Sequence, residues 1–139
     1  MAGRGRDISK MIQVLGDEAA WNAALELSEE KLVIVDCHQD WCGPCAAIVP
    51  TFSRIFIDTA NASDRIHLAT ASYDVNQEGI TAILPSDSNI SLEKIGCVPL
   101  FLFLRFKQCV SVVQGADAPG ITQQVSMNVP DIKKKDEDL

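Results

Sequence analysis

The sequence predicts an α/β fold, a mixed sheet with helices on both faces. Three observations carry this expectation. Short apolar runs alternate with helical repeats through the first half of the chain. Leu32–Val35 is apolar at every position, as befits a central strand covered on both faces. Leu100–Phe106 and Cys109–Val113, separated by Lys107 and Gln108, form a hairpin pattern.

Taken in order, Met11–Leu15 is a short apolar run stopped by Gly16 and predicts a strand. Asp17 suits a helix N-cap before the alanine-rich stretch that follows, where Trp21, Ala24 and Leu25 have the spacing of a buried face. The strand from Leu32 ends at Asp36. Beyond Trp41–Cys45, Ile48, Val49, Phe52, Ile55 and Phe56 predict a helix over 46–59, kinked where Pro50 interrupts it. Ile66–Tyr73 predicts a third strand ending at Asp74, and the polar, turn-rich stretch 75–91 predicts a loop with at most a short helix before Ile95. After the hairpin, Ile121–Met127 predicts a last short helix, stopped near Val129 because Pro130 disfavours helical geometry in the residue before it.

Composition narrows the function. With 139 residues, 47% hydrophobic and 22% charged, the chain fits one ordinary globular domain. The longest apolar run, Val98–Phe106, contains Pro99 and Arg105 and is far short of the roughly 20 residues of a membrane helix, so no membrane partner is expected. No apolar segment follows the basic residues at the N-terminus as a secretory signal requires, and a reducing, cytoplasmic setting is the expectation. The net charge is −7, and residues 1–10 carry Arg4, Arg6 and Lys10 against a single acid, so the body is more acidic still. Nucleic acid is a poor partner for such a surface. The expected organisation is a basic arm at 1–9, one domain at 10–128 and a charged tail at 129–139 in which Lys133–Lys135 is followed by Asp136–Asp138.

Five cysteines, Cys37, Cys42, Cys45, Cys97 and Cys109, are an odd number and too few for a disulfide-stapled scaffold of this length. The candidate site is Trp41-Cys42-Gly43-Pro44-Cys45, between a buried strand and a helix. Thiols at i and i+3 in a first helical turn can meet, and the unpaired N–H groups there favour a thiolate, so Cys42 is expected to be the reactive thiol. Gly43 and Pro44 leave the approach open, and Pro is tolerated in a first turn because its missing N–H has no partner there. A zinc site would require a second pair of ligands, and the sequence offers no other Cys-x-x-Cys or nearby His pair, so no metal is expected. Of the remaining candidates, Asp36 beside apolar strand residues is expected to have a raised pKa suited to proton transfer. His38 is expected at the polar rim, within range to influence thiol ionisation, and His67 on a strand. Cys37 and Cys109 are expected to be inert buried thiols, and Trp21 a core residue.

With these residues in view, the sequence resembles the thioredoxin family over about residues 10–127. The resemblance rests on Trp-Cys-Gly-Pro-Cys, Asp36 six residues before Cys42, Pro50 in the following helix, Val98-Pro99 opening the fourth strand and Gly115 after the fifth. It implies a thioredoxin fold with a central mixed five-stranded sheet, and thiol–disulfide exchange through a reversible Cys42–Cys45 disulfide with no other cofactor. Asp36 would exchange a proton with Cys45, and Pro99 would be cis with its backbone facing the disulfide. Cys97 would lie beside the active edge, placed for a mixed disulfide.

The segments His38–Cys45, Cys97–Phe103 and Gly115–Pro119 resemble more narrowly the ciliary thioredoxins, which include modules fused to nucleoside diphosphate kinase domains and light chains of axonemal outer-arm dynein. That branch implies dynein heavy chain or other axonemal subunits as partners, disulfide-bearing proteins as substrates, and a location in the axoneme of a cilium or flagellum. Ala46, Thr70 and Leu100 depart from the usual cytosolic pattern of a basic residue, a Lys and a Thr. The separation from Asp74 to Pro99 exceeds the family habit and predicts an insertion within about 76–92.

Overall fold

A computed structural model describes residues 8–39, 48–84 and 99–131. Cys42, Cys45, Trp41, Gly43, Pro44 and Cys97 lie outside the described residues, as do 1–7, 85–98 and 132–139.

A 3-10 turn at Ile8–Met11 leads into β1 (Gln13–Leu15), shorter than the strand expected from Met11. Asp17 caps α1 (Glu18–Leu27), its side chain accepting from Ala20 N–H, and Trp21 and Ala24 form the buried face. β2 (Leu32–His38) continues two residues past the expected stop at Asp36, because Cys37 and His38 still find partners in the next strand. The described part of the next helix, α2, is Val49–Asp58 with Pro50 near its start, and residues 46–47 of the expected helix lie outside the described residues. A single turn, α3 (Ala62–Arg65), precedes β3 (Ile66–Ser72).

The loop expected over 75–91 is corrected at its start, since Tyr73–Ile83 is a helix, α4. Ser72 caps it by accepting from Asp74 N–H. Tyr73, Asn76 and Ile80 form its buried face, and the polar Asn76 in that row interrupts the apolar period of a helix. Asn76 turns inward because its Nδ2 donates to the Leu15 and Ser72 carbonyls, and the backbone kinks there (φ −115°, ψ 21°). The expected insertion at 76–92 thus begins inside a packed helix.

β4 (Leu100–Arg105) and β5 (Gln108–Gln114) form the hairpin, with Phe106 and Lys107 at its tip instead of Lys107 and Gln108. Both tip residues have positive φ (56° and 63°), the geometry of a type I′ turn, without the Asn-Gly that usually announces one. Fully buried Ser28, just after α1, holds this tip. Its carbonyl accepts from Phe106 N–H and Arg105 Nη1, and its hydroxyl accepts from Lys107 N–H. α5 (Ala118–Asn128) starts three residues earlier than expected because Asp117 caps it with Pro119 in the first turn.

The sheet order is β1-β3-β2-β4-β5, with β1, β3 and β2 parallel and β4 and β5 antiparallel to their neighbours. β2 is central, and its alternation assigns side chains to two cores. Val33, Val35 and Cys37 face Trp21, Ala24 and Ile80 of α1 and α4. Leu32 and Ile34 face Phe52, Ile55, Ile121 and Val125 of α2 and α5, where Phe52 meets Phe101 edge to face at 6.0 Å.

Candidate active site

Parallel β2 and β3 bring their carboxyl ends to one edge of the sheet, the position at which α/β folds build sites. The chain leaves β2 through His38 and Gln39, passes through 40–47 with the Cys-Gly-Pro-Cys motif, and returns at Ile48 to open α2. Ile48 provides no side-chain cap.

Asp36 sits near the end of β2, opposite Thr70 on β3 and Phe101 on β4, and is only 7% exposed. Buried Thr70 donates its hydroxyl to the Asp36 carbonyl at 3.1 Å, so a neutral group fills the register position beside the carboxylate. Pro99 stands one residue before Leu100, and Leu100 pairs with Cys37. The Pro99 carbonyl accepts from Gly115 N–H at 2.8 Å, and Gly115 has φ 84°, a conformation that explains the glycine there. Asp36, His38 and Pro99 are thereby gathered at one edge, next to the segment that carries the dithiol. The bond preceding Pro99 involves Val98, outside the described residues.

His38 is half-buried, with Nδ1 3.1 Å from the Gln39 carbonyl. Cys37 is completely buried on the opposite face of β2 from Asp36, and burial, then the Asp36 charge, then Cys109 push its thiol well up. Burial also raises Cys109, and both are free thiols. Cys37 is buried as expected, whereas Cys109 on β5 is only half-buried, a correction to the expected buried thiol; both resist ionisation. His67 lies on β3, bonded through Nε2 to Gln13 Oε1 at 2.8 Å.

Tyr73, which the sequence places at the end of a strand, lies beside the site. It opens α4, is 4% exposed, and its hydroxyl has no hydrogen-bond partner among the described residues. Burial, then Cys37, then Asp36 raise its phenol, which is therefore a neutral dipole beside the Asp36 edge. The only sequence cue was an aromatic directly before Asp74 at a strand end.

A family profile described as Thioredoxin matches residues 12–126. The chain belongs to the thioredoxin family. Its architecture agrees with solved thioredoxins, including that of Fasciola hepatica (TM-score 0.60, 20% identity, covering 84% of this chain and 99% of that one). The thioredoxin NaTrxh from Nicotiana alata aligns with TM-score 0.60 at 18% identity, over 86% of this chain and 94% of that one. At such identities these structures establish the fold.

Among curated relatives, "Thioredoxin domain-containing protein 6" of Xenopus laevis is 36% identical over 86% of this chain, and "Thioredoxin domain-containing protein 3" of Homo sapiens is 28% identical over 97%. The chain spans only 16% and 20% of those proteins' own lengths. The "Dynein 14 kDa light chain, flagellar outer arm" of Chlamydomonas reinhardtii is 28% identical over 83% of this chain and 79% of its own length.

Proposed function

We propose that this chain is a redox-active thioredoxin module serving as a light-chain subunit of an axonemal outer dynein arm, with Cys42 and Cys45 as its exchanging thiols. The similarity that supports the motor reading is the 28% identity to the flagellar outer-arm dynein light chain over 83% of this chain.

In the exchange, the Cys42 thiolate attacks one sulfur of a protein disulfide and releases the other as a thiolate. Cys45 then attacks the Cys42 sulfur, closing the Cys42–Cys45 disulfide and freeing the second substrate thiol. Two electrons pass from the dithiol to the substrate. Asp36, buried near the end of β2, takes up the Cys45 proton, and the Pro99 backbone lines the approach. Trp41, Gly43, Pro44, Cys97 and His38 form the surround. Dynein heavy chain or another arm subunit is the partner, and the axoneme the location.

The second reading, a free disulfide reductase, draws on the intact Trp-Cys-Gly-Pro-Cys motif. Ala46, Thr70 and Leu100 favour a dedicated role over it, because they replace groups that ordinary cytosolic members use around the dithiol. Sucrose-gradient sedimentation of a high-salt axonemal extract separates the two. Co-migration with dynein heavy chain is expected, and recovery only at the top of the gradient overturns the subunit reading.

A further inference from the structure

The strand directions sort charge along the sheet. β1, β2, β3 and β5 all end at the edge from which the dithiol segment leaves, and β4 begins there. Exposed acids follow three of these ends, Asp17 and Glu18 after β1, Asp74 after β3 and Asp117 after β5. Asp17 and Asp117 accept from the Ala20 and Gly120 N–H groups, bonds that bring no net charge and so neutralise neither carboxylate.

The cations stand elsewhere. Lys31 and Arg65 precede β2 and β3, and Arg105 and Lys107 flank the β4–β5 turn, all at the opposite end of the sheet. Lys10 precedes β1, and Arg54 on α2 pairs with Asp58. At the opposite end the signs are mixed, since Lys107 pairs with Glu26 and Glu29. At the dithiol edge no Lys or Arg among the described residues follows a strand, and the imidazole of His38 is the one basic group.

Distance decides what this charge can act on. Adjacent strands lie about 4.8 Å apart, so the ends of β1 and β5 stand two spacings, about 10 Å, to either side of the end of β2. That exceeds the Debye length of about 8 Å at physiological salt, and the acids act weakly on the reacting sulfurs themselves. An extended chain laid across the edge advances about 3.3 Å per residue and comes alongside them roughly three residues from its cysteine.

We infer that the dithiol edge selects protein disulfides whose cysteine is flanked by Lys or Arg about three residues away on either side. The inference rests on the exchange reading proposed above and names its substrate class, with the same bonds formed and broken. A cationic segment is drawn to an edge of one sign and an acidic segment repelled, so the preference lies in the rate of encounter and falls with salt.

The test mixes the reduced full chain with acetyl-Lys-Gly-Gly-Cys-Gly-Gly-Lys-amide, its cysteine held as the mixed disulfide of thionitrobenzoate, and reads thionitrobenzoate release by stopped-flow absorbance. Release by Cys42→Ser, from the other thiols, is subtracted. Peptides with Gln or Glu at both Lys positions are compared. At low salt the Lys peptide should react roughly fivefold or more faster than the Gln peptide, and the Glu peptide slower than both. Molar salt should reduce the Lys-to-Gln ratio to below about twofold. Asp17→Asn/Asp117→Asn keeps both helix caps, since Asn caps as well as Asp, and should lower the low-salt ratio by about half or more. Asp64→Asn/Asp131→Asn removes the same charge beside Arg65 at the opposite end and should leave the ratio nearly unchanged. Exchange at equal rates with all three peptides, or equal effects of the two double variants, overturns this inference alone. A parent chain that releases no more than Cys42→Ser with any peptide overturns the exchange reading and this inference with it.

Discussion

Replacing Gly79 by Ala sets two opposed effects against each other, and the structure decides the sign. A Cβ at Gly79 would stand 2.5 Å from Trp21 Nε1, 2.8 Å from Cε2 and 2.9 Å from Cδ1, closer than real Cβ contacts come. The indole is 4% exposed and packed in the same core as Ala24 and Ile80, so it has little room to yield. Overpacking of this kind costs about 1–3 kcal/mol. Against it, Ala is better than Gly inside a helix by about 0.8–1.0 kcal/mol. The clash wins, and Gly79→Ala should destabilise the fold by about 0.5–2 kcal/mol, lowering Tm by roughly 2–7 °C for a chain of this size. In a Trp21→Leu background the ring is gone while the helix preference remains, so the same substitution should stabilise by up to about 1 kcal/mol. Urea denaturation of the four proteins of this cycle, with unchanged m-values, is the assay. An effect of the same sign and size in both backgrounds would refute the reasoning, because the indole would then not be what excludes a side chain at position 79.

Ser28→Ala removes the hydroxyl that accepts from Lys107 N–H, leaving a part-buried donor unmet, and should cost about 1–3 kcal/mol in urea unfolding. Burial, then Lys31, lower the pKa of His67, so the native state holds this imidazole neutral. Its contribution is present above the unfolded value near ~6.5 and is lost as pH falls from there through the lower folded value. The urea midpoint of His67→Gln should accordingly fall less between neutral and mildly acidic pH than that of the parent. Iodoacetamide at neutral pH should label Cys42 first, half-buried Cys109 more slowly and Cys37 only on unfolding, because burial raises both of the latter thiols and seals Cys37. Equal labelling rates in the native protein would contradict that order.

Much of the fold was legible because its signals are local. Asp17 before an alanine-rich run, the unbroken Leu32–Val35 stretch and the paired runs around Lys107 each specify an element from their own residues. The errors fell where a distant group decides. α4 was hidden because Asn76 occupies a buried position, and only the Leu15 carbonyl, far away in sequence, makes that acceptable. The hairpin tip shifted by one residue because Ser28 bonds to Phe106 and Lys107 and holds two positive-φ residues that the turn itself does not favour. At the site, Asp36 could be picked out as a carboxylate at the end of an apolar strand, and its burial follows from the central place of β2. Tyr73 could not, since its closeness to Cys37 and Asp36 arises from the turn into α4 and not from any spacing in the chain.

The exchange chemistry assigned to Cys42 and Cys45 is tested most directly by mass spectrometry of the Cys45→Ser variant after incubation with a small disulfide-bonded peptide. Cys42 should displace one half of the peptide and retain the other as a mixed disulfide, while the parent chain, with Cys45 present, should release both halves and carry an internal disulfide. No adduct on Cys45→Ser, or an adduct confined to Cys37 or Cys109, would contradict the assignment of Cys42 as attacking thiol and Cys45 as resolving thiol.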